Sequence, residues 1–250
     1  MSLKELINKD KKDAMVATIL ADAGMGKTTF ASTFPNPIFI RAEDGLGLLD
    51  VDALPLIKKV DDLWEQLKML IHEEHDYKTV VIDSVTALET LFTDYVVDND
   101  PKKPKSINQA MGGYGAGLAA VAAMHQRARK AAQLLVEKGI NVVFISHADT
   151  ATIELPDSDP YTRYSLRLGK RSVQPYVDNV DLVGFIKLET FITGDGDRKK
   201  AISDGTRGLV TYATAANVSK NRFGIKEDLV LSEGVNPLGE YIKFLKKDRK

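Results

Sequence analysis

The stretch Ala21-Asp-Ala-Gly-Met-Gly-Lys-Thr28 sets two glycines, a lysine and a threonine close together, and that set can hold a chain of phosphates. Gly24 and Gly26 let backbone N–H groups crowd around a β-phosphate, and the start of the following helix adds partial positive charge. Lys27 is long enough to reach the β- and γ-phosphates, and the Thr28 hydroxyl can ligate Mg²⁺. Asp22, Ala23, Met25 and Thr29 complete the segment expected to wrap the nucleotide. The stretch departs from G-x-x-x-x-G-K-[ST] at Ala21, where the first glycine belongs. A methyl group there restricts the turn, with more effect expected on loop geometry than on chemistry.

Further polar residues close apolar runs. Asp83 ends Val80-Val-Ile-Asp83, the position of a carboxylate that holds Mg²⁺ through its water shell; an aspartate there can also cap the next helix. Glu43, with Asp44 behind it, follows Ile38–Arg41 and can orient a water as general base, although a strand-end carboxylate can also be simply solvated. His147 follows Asn141–Ser146 and can hydrogen-bond a γ-phosphate or satisfy local backbone groups. The other histidines, His72, His75 and His125, lie on helical stretches and are expected at the surface. No His/Asp/Glu cluster has zinc spacing.

Positioning these groups requires strands that end together. Val16–Leu20, Ile38–Arg41, Thr79–Asp83 and Asn141–Ser146 are short apolar runs of the kind buried on both faces of a parallel sheet. Helical stretches separate them: Thr29–Thr33, a segment opened by a capping box at Asp62-Leu-Trp-Glu65 and running to about His75, and a longer one from Leu118 to Lys138 with Gly139 as its C-terminal cap. Residues 98–117 and 148–179 read as long irregular stretches. From Val180 to Tyr212 the pattern turns to β-hairpins, with a turn at Gly194-Asp-Gly-Asp197. The expected class is α/β, with a mostly parallel central sheet, flanking helices and antiparallel C-terminal strands. A charged lead-in (1–13), a single ATPase core (14–235) and a basic C-terminal tail (236–250) are the expected divisions.

Composition narrows the function classes. The chain has 250 residues, 44% hydrophobic, with no cysteine and a net charge of −1. The absence of cysteine excludes disulfides, thiolate metal sites and thiol nucleophiles, and suits the cytoplasm. No run is apolar enough to cross a bilayer and the first residues lack a signal-peptide core, so no membrane partner is expected. With near-zero net charge, nucleic-acid binding must come from local patches.

Taken together, these residues resemble the RecA-like ATPase core, which implies that the α/β fold is that of a RecA-like P-loop NTPase. Val80-Val-Ile-Asp-Ser-Val-Thr-Ala-Leu88 resembles the Walker B segment of RecA-type recombinases, and Ile38-Phe-Ile-Arg-Ala-Glu43 resembles the strand that delivers their catalytic glutamate. The resemblance implies Glu43 as base and His147 where RecA carries its phosphate-sensing glutamine. Val218-Ser-Lys-Asn-Arg-Phe-Gly224 resembles the Lys-x-Arg segment of hexameric DnaB-type helicases, which implies that Lys220 and Arg222 reach a neighbour's ATP; a basic surface turn is the plainer reading. Over residues 14–230 the chain is similar to a phage-encoded ATP-binding family that includes single-strand annealing recombinases. The similarity implies an ATP- and Mg²⁺-dependent ATPase of phage recombination, acting on single-stranded DNA as a ring or filament, with phage or host recombination and replication proteins as partners, in the host cytoplasm. A DnaB-like motor core and a non-hydrolysing, ATP-switched assembly module are the alternatives.

Two basic stretches could meet DNA. Tyr161–Arg171 carries Arg163, Arg167, Lys170 and Arg171 with two tyrosines, of which Tyr164 could stack on a base. In the glycine-rich stretch 112–117, next to Lys102-Lys-Pro-Lys105, Tyr114 could do the same. Both could equally be solvated surface loops.

Overall fold

A computed structural model describes residues 13–157, 159–193 and 200–246. In chain order the strands and α-helices are β1 (Val16–Ala21), α1 (Lys27–Ala31), β2 (Pro37–Arg41), β3 (Asp52–Ala53), α2 (Val60–His72), β4 (Thr79–Asp83), α3 (Val85–Asp98), α4 (Ala116–Glu137), β5 (Asn141–Ile153), β6 (Tyr161–Leu166), α5 (Gln174–Val177), β7 (Leu182–Leu188), β8 (Phe191–Thr193), β9 (Lys200–Ile202), β10 (Arg207–Val210), β11 (Lys220–Asn221) and β12 (Leu229–Val230). The main sheet runs β12-β10-β7-β1-β5-β4-β2-β3, with β6 added to β5 and β11 to β7. From β7 to β3 the pairings are parallel, and β6, β10, β11 and β12 are antiparallel additions. The expected α/β class is therefore found.

Alternate strand residues feed two cores, as the pleat requires. Leu20, Ile40, Ile82 and Phe144 face one layer with Leu63, Leu67, Leu88, Phe92 and Leu135 of α2, α3 and α4. Ile19, Phe39, Val81 and Ile145 face the other, where Phe30 and Phe34 pack. The apolar runs are continuous because both faces are covered. Ser84 caps α3 by accepting the Ala87 N–H, and the peptide between Asp83 and Ser84 is cis. Gly139 ends α4 in a left-handed conformation, φ 78°, as its cap position requires.

Several local expectations shift. Asp62 does not start α2: as its third residue it accepts the N–H groups of Lys58 and Lys59, so the helix begins one turn-fraction earlier, at Val60. Within 148–179, residues 148–153 and 161–166 are not irregular. They extend β5 and return as β6, with Ala148 opposite Leu166 and Ile153 opposite Tyr161. This ribbon is largely solvated, so its Thr, Asp, Arg and Tyr residues lack the apolar run that marks a buried strand. The segment after Asn236 buries Leu238, Ile242 and Leu245 in the second core, so that part of the expected tail is integral to the fold. The turn at 194–197, most of the lead-in and residues 247–250 of the basic tail lie outside the described residues.

Candidate functional site

Parallel registry brings the C-terminal ends of β1, β4 and β2 level with the middle of β5: Ala21 pairs with His147, Asp83 with Ile145, and Arg41 with Asp83. Such a crevice at the carboxyl ends of parallel strands is where α/β sheets bind ligands. Here it is a cavity of ≈ 570 Å³ walled by Ala23, Gly24, Gly26, Lys27, Thr28, Thr29, Glu43, Asp44, Asp83 and His147 among others. Four separate segments of the sequence thus converge on one space. Asp22 and Met25, expected with the loop, do not line it; they face a second cavity.

The loop takes its shape from two left-handed glycines, Gly24 at φ 75° and Gly26 at φ 83°, a conformation that costs a side-chain-bearing residue about 1–2 kcal/mol. Ala21 needs no such freedom. It is the last residue of β1, fully buried and paired to His147, so the strand runs one residue further than the glycine version of the pattern suggests. Lys27 folds back so that its Nζ donates to the carbonyls of Ala21 (3.2 Å) and Asp22 (2.9 Å). Burial lowers its pKa, opposed by the nearby carboxylates of Asp83, Glu43 and Asp22.

Thr28 Oγ1 donates to Asp83 Oδ2 at 2.7 Å. Burial pushes the Asp83 carboxyl above its usual range, with Glu43 adding to the rise, while the Thr28 hydrogen bond, Lys27 and His147 work against it. A carboxylate kept in such a place is poised to gain from a cation. The donor set, one hydroxyl and one carboxylate, suits Mg²⁺, which prefers hard oxygens, few protein ligands and retained waters. No cluster of three or more His, Cys, Asp or Glu with metal-ligand geometry occurs among the described residues.

Glu43 is set by its backbone: Ala42 N–H and Glu43 N–H both donate to Asp83 O, at 2.7 and 3.3 Å. Its Oε1 lies 3.3 Å from His147 Nε2. Asp44 is largely exposed and lies 3.8 Å from Arg41 Nη1. Glu43 is the carboxylate aimed into the crevice and tethered there; Asp44 sits at its rim.

Arg207 was not legible as a site residue. It sits in β10, and its guanidinium lies against Gly26, where a β-carbon would meet Nη1 at 2.5 Å. It also borders a smaller cavity lined by Gly26, Thr29, Thr33 and the segment Leu231–Val235. Nothing in the Arg-Gly-Leu-Val stretch signals this, because the contact spans the sheet.

Lys220 and Arg222 lie at the other end of the sheet from this crevice. β11 pairs with the start of β7, Lys220 opposite Val183, while β1 pairs with β7 from Ala17 opposite Leu182. Lys220 Nζ donates to Asp178 O at 2.8 Å, and Arg222 Nη1 meets Asp181 Oδ1 at 3.1 Å. Tyr114 is fully exposed in a left-handed turn. Arg171 donates to Gly115 O at 2.9 Å and so ties the two basic stretches together. The first of them is not a loop throughout: Arg163 and Tyr164 lie in β6, Arg167 donates to Ala148 O at 3.1 Å, and Lys170 is exposed.

His125, expected at the surface, is fully buried. Its Nε2 lies 2.7 Å from Glu89 Oε2 and its Nδ1 2.8 Å from Tyr176 Oη. It occupies the inward stripe of α4 with Val121, Ala128 and Ala132, and the two partners make burial of the imidazole tolerable. His72 is exposed, and His75 is half-buried with Nε2 2.9 Å from Leu70 O.

A family model described as an AAA domain matches residues 13–223. No curated protein matches in sequence. Among the solved structures similar to the chain is a KaiC-like protein from the hyperthermophilic archaeon Pyrococcus horikoshii, with 10% identity, 87% of this chain and 89% of that chain covered, and a TM-score of 0.43.

Proposed function

The chain belongs to the AAA-domain family, and from that premise we propose that it is a RecA-like ATPase that binds ATP with Mg²⁺ and hydrolyses it in the crevice at the strand ends. The observation that carries this reading is the convergence of Lys27, Thr28, Glu43, Asp83 and His147 on one cavity of ≈ 570 Å³. Phosphates entering it replace the carbonyls of Ala21 and Asp22 as partners of Lys27. Thr28 and Asp83 would hold Mg²⁺, which would supply neutralisation of phosphate charge. Glu43, steadied by His147, draws a proton from the attacking water and aligns it, a contribution of about 10²–10⁴ in rate. Arg207 and a smaller cavity adjoin the loop at Gly26 and Thr29.

The finer reading is an assembled, DNA-stimulated enzyme of phage recombination or annealing. Lys220 and Arg222 cannot serve the ATP of their own chain, since about four residues of strand, roughly 13 Å at 3.3 Å each, separate them from the end of β1. In this reading they serve a neighbour's instead. Replacing Arg222 by alanine is expected to lower turnover by about 10³ or more under assembly conditions, and unchanged turnover there sinks the role.

ATP hydrolysis measured with and without single-stranded DNA, at several salt concentrations, tests the whole reading. Turnover stimulated by DNA, with stimulation fading as salt rises, is the expected result. Stoichiometric ATP binding without turnover under every condition would instead mark a nucleotide-switched assembly module, and strand displacement would mark a translocating motor.

A further inference from the structure

Arg207 brings a cation to the phosphate loop that nothing in the chain neutralises. Its backbone is held on both sides in the sheet: it pairs with Leu188 of β7, and its carbonyl accepts the Leu231 N–H at 2.9 Å. The side chain ends against Gly26, so close that a β-carbon there would meet Nη1 at 2.5 Å. Glycine at 26 therefore serves both the left-handed turn and the approach of the guanidinium. Among the described residues no carboxylate pairs with Arg207, and its side chain makes no hydrogen bond. Other arginines of the chain are answered: Arg222 by Asp181, Arg171 by the Gly115 carbonyl and Arg167 by that of Ala148. A guanidinium carries five N–H donors in a planar fork that matches the oxygens of a phosphate.

Its place along the loop says which phosphate it would meet. Lys27, Thr28, Glu43, Asp83 and His147 line the crevice, and none of them lines the cavity of ≈ 300 Å³ at Arg207. Gly26 and Thr29 line both, so the two spaces are the two sides of one loop. Arg207 lines no part of the crevice, which sets it apart from the groups that face the γ-phosphate and the attacking water. Lys27 reaches the β- and γ-phosphates of a nucleotide on such a loop, and the loop backbone cradles the α- and β-phosphates. A phosphate chain with its γ end at Glu43 and its β-phosphate at Lys27 meets Arg207 with what remains, the α-phosphate.

We propose that Arg207 binds the α-phosphate of the nucleotide held by the loop, donating from its guanidinium to a non-bridging oxygen. The inference rests on the ATP reading above and adds to it a cation from the antiparallel part of the sheet, supplied by the same chain. Lys27 and Arg207 then approach the phosphates from opposite sides of the loop, Lys27 from within the crevice and Arg207 from β10.

Calorimetric titration of the full chain with Mg·ADP tests the assignment through a double-mutant cycle. ADP has no γ-phosphate, so neither hydrolysis nor a γ contact enters the result. The second ligand is the ADP analogue in which a methyl group replaces one non-bridging α-oxygen, each diastereomer taken separately, and the variant is Arg207→Gln. Mg·ADP should bind the variant about tenfold more weakly, the scale of one hydrogen bond between charged groups. For at least one diastereomer, the penalty of the methyl group should be about tenfold smaller in the variant than in the parent. Unchanged Mg·ADP affinity in the variant overturns the proposal. So do equal methyl penalties in the two proteins for both diastereomers, which is what a mere change of loop shape would give. Arg207 is exposed, and a cooperative thermal transition checks the fold of the variant. If Arg207→Gln lacks one, Arg207→Met, which keeps an unbranched stem against Gly26, takes its place in the same cycle. A parent that binds neither Mg·ADP nor Mg·ATP overturns the ATP reading and this proposal together; a parent that binds both but shows equal penalties overturns this proposal alone.

Discussion

Restoring the missing glycine, Ala21→Gly, should weaken the protein without improving its nucleotide site. Ala21 is the last residue of β1, fully buried in the second core and paired with His147. Among the described residues the non-glycines with positive φ are Asn36, Lys103, Met111 and Tyr114, so the backbone at 21 is one that alanine adopts without strain. Removing its methyl group forfeits burial of about 0.8 kcal/mol, and glycine in a strand interior adds about 0.5–1 kcal/mol of backbone entropy cost. The sum is about 1–2 kcal/mol. For a chain of this size each kcal/mol corresponds to roughly 2–4 °C in Tm, so a loss of about 2–8 °C is expected. The carbonyl of residue 21 that accepts from Lys27 is retained, and ATP affinity should stay within about twofold, since less than ~0.4 kcal/mol is at stake at the phosphates. Calorimetric melting and titration with Mg·ATP measure both quantities. Unchanged Tm together with binding at least tenfold tighter would refute the reasoning, because the loop would then have needed the glycine's freedom.

Glu43→Gln should keep Mg·ATP binding while turnover falls about 10²–10⁴-fold; turnover within a factor of three of the parent in a phosphate-release assay removes Glu43 as base. Burial raises the Asp83 carboxyl, so the metal-free protein is relatively favoured where Asp83 is protonated, and that contribution is lost as pH rises through its folded pKa. Mg·ATP binding should accordingly weaken on acidification at a higher pH than an ordinary aspartate, about 3.9, would dictate, and Asp83→Asn should flatten that limb. Burial alone would raise Glu89, but His125, Ser172 and the Gly169 N–H more than offset it and hold the carboxyl below its usual range. A depressed carboxylate stabilises above its unfolded pKa of about 4.3 and ceases to as pH falls through the folded value. Glu89→Gln should therefore lose about 1–3 kcal/mol at pH 7 and lose less than the parent on acidification; parallel stability-against-pH curves for the two proteins count against the pairing.

The sequence by itself determined the phosphate loop, because Gly24, Gly26, Lys27 and Thr28 act through local backbone shape and need only a strand before them and a helix after. It also determined the buried strands and, through them, Asp83 and Glu43: a strand buried on both faces must be continuously apolar, so the polar residue that ends it stands out. The β5–β6 ribbon was hidden for the converse reason, since a solvated pair of strands needs no apolar run and its register comes from pairing alone. Only the tertiary structure decided the rest. His125 reads as a surface polar residue until Glu89 and Tyr176 arrive from elsewhere in the chain to satisfy it. Arg207 meets Gly26, and Tyr164, Phe185 and Asn217 wall one cavity, through contacts between residues more than twenty positions apart in sequence. Local chemistry is written in neighbouring residues; an environment is made by the partners that folding supplies.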